Sequence, residues 1–287
     1  MLILRNSLLD SFEAVARLGT THAAGKELKV TQTAITQRIK ALESGLKTTL
    51  FLRSRRGMAL TEEAKALLQL CHGTRELEGQ FLSRLQGEHR SEVTLRLVGP
   101  TSAISTRAAI NLEPLYQKYP FLRLHLLSHD HSDLVEMIRR GDADLAIVPP
   151  GLIPNEMDSK VLKPDRYVLV ASHLWKGRRI NDILENERVI DFYESDQTTM
   201  GYLKHYGFET KAMRSRLFIN ENEALIRMFI AGIGFGTLTD DIAAPFLRGG
   251  KLIALNRAQF LEDPLALIWY PRPRKMDYFE AIVRAIK

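Results

Sequence analysis

Residues 31–43 read Thr31-Gln32-Thr33-Ala34-Ile35-Thr36-Gln37-Arg38-Ile39-Lys40-Ala41-Leu42-Glu43. Ile35, Ile39 and Leu42 recur at helical spacing and make one apolar stripe. Thr33, Thr36, Gln37 and Lys40 fall on the opposite side. Thr31 is a natural N-cap, because its hydroxyl can accept an orphan backbone N–H. A stripe of short donors and acceptors with one cation suits base edges in a DNA major groove. A solvated face of a surface helix has the same composition, so the neighbouring residues decide between the two readings.

Upstream, Leu8, Leu9, Phe12, Val15, Ala16 and Leu18 form a helical apolar pattern that stops at Gly19. Thr20 or Thr21 caps a second, short helix from His22 to Leu28. Its Ala23, Ala24 and Gly25 let helices cross closely, as a helix-turn-helix requires. Downstream, Thr48 to Leu60 reads as a hairpin, with Arg53, Arg55 and Arg56 in a loop and Gly57 at its tip. Such a wing would lie along phosphates. Residues 1–60 hold ten Lys/Arg and four Asp/Glu, while the remaining residues hold thirty of each. The excess positive charge therefore sits on this module, the footprint of a partner such as double-stranded DNA.

The stretch AAGKELKVTQTAITQRIKALE (residues 23–43), followed by Leu50-Phe51-Leu52-Arg53 and Leu60-Thr61, resembles the LysR-type transcriptional regulators. That signature spans the whole N-terminal module. One departure is Ala64-Lys65, where the family often has glycine, at the start of the next helix. The order Gln37-Arg38 resembles the branch containing the arginine-export regulator, also described as an inhibitor of chromosome initiation. The resemblance implies DNA contacts from Thr31, Gln32, Thr33, Thr36, Gln37, Arg38 and Lys40, with Arg53, Arg55 and Arg56 on the wing. It also implies a homodimer or homotetramer, with RNA polymerase as a further partner.

The rest of the chain is expected to be an α/β protein built as a two-lobed, periplasmic-binding-protein type 2-like domain. Residues 1–60 form the winged helix-turn-helix, 61–87 a linker helix and 88–287 the effector domain. Lobe I takes about 92–162 and 264–287, and lobe II about 163–263. Thr61 caps the linker helix, and Leu60, Ala64, Leu67 and Cys71 follow coiled-coil spacing, rejoined by Phe81 and Leu85. In the family this helix dimerises the protein. From Glu92, strands and helices alternate, the mark of an α/β sheet.

Ligands of such sheets lie beyond the carboxyl ends of the strands. That places Thr101, Ser102, Ser128 and Pro149 in lobe I, and Glu194, Thr198 and Asn222 in lobe II, at an effector site. Thr101 and Ser102 begin a helix, whose free N–H groups favour an anion such as a carboxylate. With Asp130, Asp133, Glu194 and Asp196 nearby, an amino acid with a cationic side chain is a candidate co-inducer. Solvated loop acids are the plainer account of the same residues. His125, His129 and His131 lack a clear fourth ligand, so no metal is expected. Gly232-Ile233-Gly234-Phe235-Gly236 follows a helix and enters a strand, the reverse of a dinucleotide fingerprint, and reads as a helix cap and turn.

Hydrophobic content of 45% is ordinary for a globular protein. No apolar run spans a bilayer, and the N-terminus carries no secretory h-region. With one cysteine, Cys71, no disulfide framework is possible, and the cytoplasm is the expected location. No catalytic nucleophile–base order and no cofactor motif is present, so no enzyme is expected. An enzyme with a periplasmic-binding-like domain, or an architectural DNA-binding protein without effector, are the other readings.

Overall fold

The computed structural model describes residues 6–54, 57–85, 93–129, 133–208, 216–272 and 276–287. The chain divides into two compact units: unit 1 is Met1–Val161 with Ala266–Lys287, and unit 2 is Leu162–Leu265.

Unit 1 opens with α1 (Ser7–Leu18), α2 (Thr21–Leu28) and α3 (Gln32–Leu46). Each has a side-chain N-cap: Asn6 for α1, Thr20 for α2 and Thr31 for α3. Gly19 ends α1 in the left-handed conformation at φ 73°. Phe12, Val15, Ile35 and Leu50 are fully buried, and Ile39, Leu42 and Phe51 nearly so. Truncating Ile35 to alanine in such a core costs about 2–5 kcal/mol. The wing is β1 (Phe51–Ser54) paired antiparallel with β2 (Gly57–Leu60). Gly57 is the first residue of β2, opposite Ser54, and not the tip of a loop as the sequence suggested. Glu43 anchors the wing, its carboxylate accepting the Leu50 amide at 2.8 Å.

Helix α4 (Glu62–Leu85) follows. The Thr61 hydroxyl accepts the Ala64 amide at 3.2 Å, and Glu62 and Glu63 occupy the first turn, where the helix dipole favours anions. Here the expected seam is corrected. Ala64, Leu68 and Cys71 are buried in the core of the N-terminal module, with Leu60 and Leu67 packed against it. At Ala64 and Cys71 the spacing is satisfied within the module, while Leu60 and Leu67 are only partly buried. Among the described residues the exposed large apolar side chains of α4 are Leu70 and Leu77, 65% and 60% exposed and one heptad apart. Phe81 and Leu85 have side chains outside the described residues.

Then come β3 (Val93–Gly99), a helical run of α5 (Thr101–Ala103), a π turn (Ile104–Ala108) and α6 (Ala109–Asn111), then α7 (Glu113–Lys118). One helix was expected here, but a π turn and Pro114 break it. β4 (Leu122–Ser128), α8 (Leu134–Arg140), β5 (Leu145–Val148) and β6 (Asp158–Val161) complete this part.

Unit 2 contains β7 (Asp165–Ser172), α9 (Ile180–Asn186), β8 (Ile190–Asp191), α10 (Thr198–His205), β9 (Leu217–Phe218), α11 (Asn222–Ile230), β10 (Gly236–Thr239), α12 (Asp240–Arg248), β11 (Leu252–Ala254) and β12 (Phe260–Asp263). β7 is central and pairs antiparallel with β10, β11 and β12. Its residues alternate between two cores, as strand geometry requires. Leu169 and Ala171 enter one core with Tyr202 and Phe235; Val168 and Val170 enter another with Phe229 and Leu238.

The chain returns to unit 1 as β13 (Ala266–Trp269) and α13 (Asp277–Ala285). The sheet of unit 1 runs β4-β3-β5-β13-β6. β3 is parallel to β4 and β5, while β13 is antiparallel to β5 and β6.

Candidate nucleic-acid interface and effector-loop clusters

Burying Ile35, Ile39 and Leu42 turns the other side of α3 outward. Thr33, Gln37 and Lys40 are exposed and Thr36 is half-buried. Among the described residues, Thr33, Gln37 and Lys40 make no side-chain hydrogen bond to another described residue. The remaining residues named on this helix bond within the module. Thr31 accepts the Ala34 amide at 3.1 Å, and Gln32 donates to the Thr21 hydroxyl at 3.2 Å. Thr36 donates to the Gln32 carbonyl at 2.9 Å, and Arg38 donates to the Ser11 hydroxyl at 3.3 Å. On the wing, Arg53 pairs with Met58 across the hairpin, while Arg55 and Arg56 lie outside the described residues.

In unit 1 the expected effector residues gather at one edge of the sheet. β3, β4 and β5 are parallel, so Thr101 and Ser102, Ser128 and Pro149 all follow carboxyl ends. Gly99 pairs with Ser128, and the His129 amide donates to the Gly99 carbonyl at 2.9 Å. The carbonyls of Thr101 and Ser102 accept the hydroxyls of Ser105 and Thr106 at 2.6 and 2.8 Å. His129 Nε2 lies 2.8 Å from Asp133 Oδ1, which gives that carboxylate a local partner. Asp130 and His131 lie outside the described residues. Among the described residues no group of His, Cys, Asp and Glu could hold a metal ion.

In unit 2 the short strands β8 and β9 run parallel, and Glu194, Thr198 and Asn222 follow their ends. Here the structure adds a pair that local sequence does not signal. Asp191 is 97% buried by its 3% exposure and receives Arg216 Nε at 2.7 Å and Nη2 at 2.6 Å. Burial pushes the Asp191 carboxyl up, and Thr199 and Arg216 pull it back. Arg216 also donates to the carbonyls of Glu194 and Asp196. Asp196 in turn accepts the amides of Thr198 at 2.8 Å and Phe192 at 3.3 Å. The loop before α10 is thus held from both sides. Asn222 is the first residue of α11, and Glu221 is its cap, accepting the amides of Glu223 and Ala224. Gly232 closes that region at φ 72°. A Cβ on Gly236 would lie 2.5 Å from the Ile190 carbonyl, so the glycine run serves close packing.

Residues 7–65 match the model of the bacterial regulatory helix-turn-helix proteins of the lysR family. Residues 88–287 match the LysR substrate binding domain. The chain belongs to the LysR family. As a LysR-family regulator it binds DNA through the helix-turn-helix module and a small-molecule effector through the substrate-binding domain. An uncharacterized HTH-type transcriptional regulator of Escherichia coli, YcaN, is 26% identical over 278 residues, covering 93% of this chain and 89% of its own. ArgP from Mycobacterium tuberculosis shares the fold at TM-score 0.78 and 21% identity, over 99% of this chain and 96% of its own. LysG from Corynebacterium glutamicum, with the effector Arg bound, does so at TM-score 0.75 and 18% identity, over the same shares. Among the described residues no helix of this LysR-family chain is long and apolar enough to cross a membrane.

Proposed function

We propose that this regulator reads operator DNA with Thr33, Gln37 and Lys40 of α3. Thr31, Gln32, Thr36 and Arg38 flank that stripe and position it, and Arg53, Arg55 and Arg56 of the wing contact phosphates. One observation carries the reading. The three side chains are exposed on a helix whose opposite face is buried, in the module that holds the chain's excess positive charge. The protein works in the cytoplasm as a homodimer through α4, assembling to a homotetramer, with RNA polymerase as partner, and it is not an enzyme.

The effector is an amino acid or another small carboxylate. The candidate contacts are, in each unit taken by itself, Thr101, Ser102, Ser128 and Pro149 in unit 1 and Glu194, Thr198 and Asn222 in unit 2. The strand-end placement of both sets supports this, as do the bound arginine of LysG and the resemblance to the arginine-regulator branch.

A duplex selected from a random pool by the wild-type protein tests the DNA reading. Thr33→Ala, Gln37→Ala and Lys40→Ala should each weaken binding to it by about 1–3 kcal/mol where a base contact is lost. Unchanged affinity in all three at fixed salt would sink the assignment. A thermal-shift series with arginine, lysine and small dicarboxylates tests the effector. A flat response throughout would favour an architectural DNA-binding protein.

A further inference from the structure

Helix α8 spans two places of different function within unit 1. It starts after Asp133 and finishes at Arg140, where Gly141 caps it at φ 76°. On either side of the cap, Arg140 and Asp142 line a polar cavity of about 420 Å³ together with Arg96. The opposite wall belongs to the reading module: Glu13 and Arg17 of α1, and Glu27 at the end of α2.

The two walls are complementary in charge and are individually braced. Arg17 is paired with Glu27 in the module. On the other side the Arg96 amide donates to Asp144 at 2.8 Å, the Asp144 amide returns to the Arg96 carbonyl at 2.8 Å, and the Arg96 guanidinium donates to the Gly141 carbonyl at 3.3 Å. The turn carrying Asp142 is therefore fixed to β3. Burial raises the Asp142 carboxyl, while Arg17, Arg140 and Arg96 attract its charged form. Arg17, raised chiefly by its bond to Glu27, also feels Asp142 and Glu13. Partly buried charges are screened less than surface ones. The linker helix shares the contact, because α4 packs against α8. Arg139 of α8 bridges Glu136 at 2.6 Å and Glu156 at 2.6 Å, close to Lys65 of α4. Thr33, Gln37 and Lys40 lie outside this seam and stay exposed.

We propose that lobe I seats the reading module through Arg96, Arg140 and Asp142 against Arg17 and Glu27, and that α8 links this seat to Asp133, which precedes α8 and meets His129 beyond the end of β4. The link has regulatory meaning through the effector reading above; the seat itself does not depend on it. Coupling between two sites is reciprocal, so it can be driven from the DNA end with no effector present.

The test uses the full chain and a random-sequence duplex at low salt, which binds through phosphates. In a Cys71→Ala background, Asp10→Cys, on the cavity wall of α1, with Arg140→Cys and a short flexible bismaleimide should give a link within one chain, with Arg17 and Asp142 of the seat left in place. A link between chains, or none, overturns the seat. Hydrogen exchange then reads the coupling. Asp142→Arg should speed exchange at residues 10–17 roughly three- to tenfold and leave Val98 and Ala146 unchanged. Adding duplex should change exchange at residues 133–142 in the wild type and not in Asp142→Arg. No response of residues 133–142 to DNA in the wild type overturns the link through α8, whatever the effector proves to be.

Discussion

The amide of Met58 donates to the carbonyl of Gly19 at 2.8 Å, tying the wing to the turn between α1 and α2. Gly57 makes that approach possible. Its φ is 121°, and a Cβ there would lie 2.8 Å from the same Gly19 oxygen. Gly57→Ala should therefore combine backbone strain with a clash and cost the reading module about 1–3 kcal/mol. Urea unfolding followed by tyrosine-free probes on α1 would check it. An unmoved midpoint would mean that the wing shifts freely.

The linker helix gives a contrast among three of its leucines. Leu67 packs on the module core, whereas Leu70 and Leu77 are exposed. Leu70→Asp and Leu77→Asp should leave the module folded and shift sedimentation toward monomers. Leu67→Ala should instead cost stability, about 2 kcal/mol for a partly buried leucine. If both exposed variants sediment as wild type, α4 does not carry the dimer.

Arg216→Ala strands the buried charge of Asp191. Breaking such a pair from one side typically costs about 3–5 kcal/mol. The double variant Asp191→Ala/Arg216→Met should recover most of that stability, because no lone charge remains. It should not recover order in residues 193–197, since the carbonyls of Glu194 and Asp196 still lack their donor. Denaturation and hydrogen exchange on the two variants separate the effects. Full protection of the loop in the double variant would contradict the assigned role.

Glu221 makes one pH dependence explicit. The amides of Glu223 and Ala224 hold its carboxyl below the usual glutamate range. A depressed folded value means stability that is present above the ordinary range and lost as pH falls through the folded value. Wild type and Glu221→Ala should thus differ in thermal midpoint at neutral pH and converge in acid. A constant gap across the titration would place the effect elsewhere.

The reading module was legible because three signals agree along one stretch: caps at Thr20 and Thr31, the Ile35–Ile39–Leu42 stripe, and the charge count. The linker seam was legible only in part, because periodicity reports that a face is buried and not by what; Ala64 and Cys71 meet their own module. Strand β6 escaped because its polarity is inverted. Lys160 points inward and donates to the carbonyls of Val283 at 2.6 Å and Ile286 at 2.8 Å, while Val161 is 73% exposed. Helix α12 escaped because Pro245 lies inside it. That Thr101, Ser102, Ser128 and Pro149 follow strand ends could be read from the strands alone. The Asp191–Arg216 pair could not, since its partners belong to different elements and neither has a local pattern.

The sheet order β4-β3-β5-β13-β6 also governs the order in which the protein can be made. β13 is an inner strand, and Ala266, Leu267 and Ile268 are fully buried. While the chain emerges from the ribosome, β5 and β6 have no partner between them until residue 269 is free. By then all of unit 2 has been synthesised, and the reading module long before it. A stop codon shortly before Ala266 would therefore release a polypeptide whose DNA-reading half can fold and whose effector half has a gap in its central sheet. Such a fragment would compete for operators and be deaf to the signal.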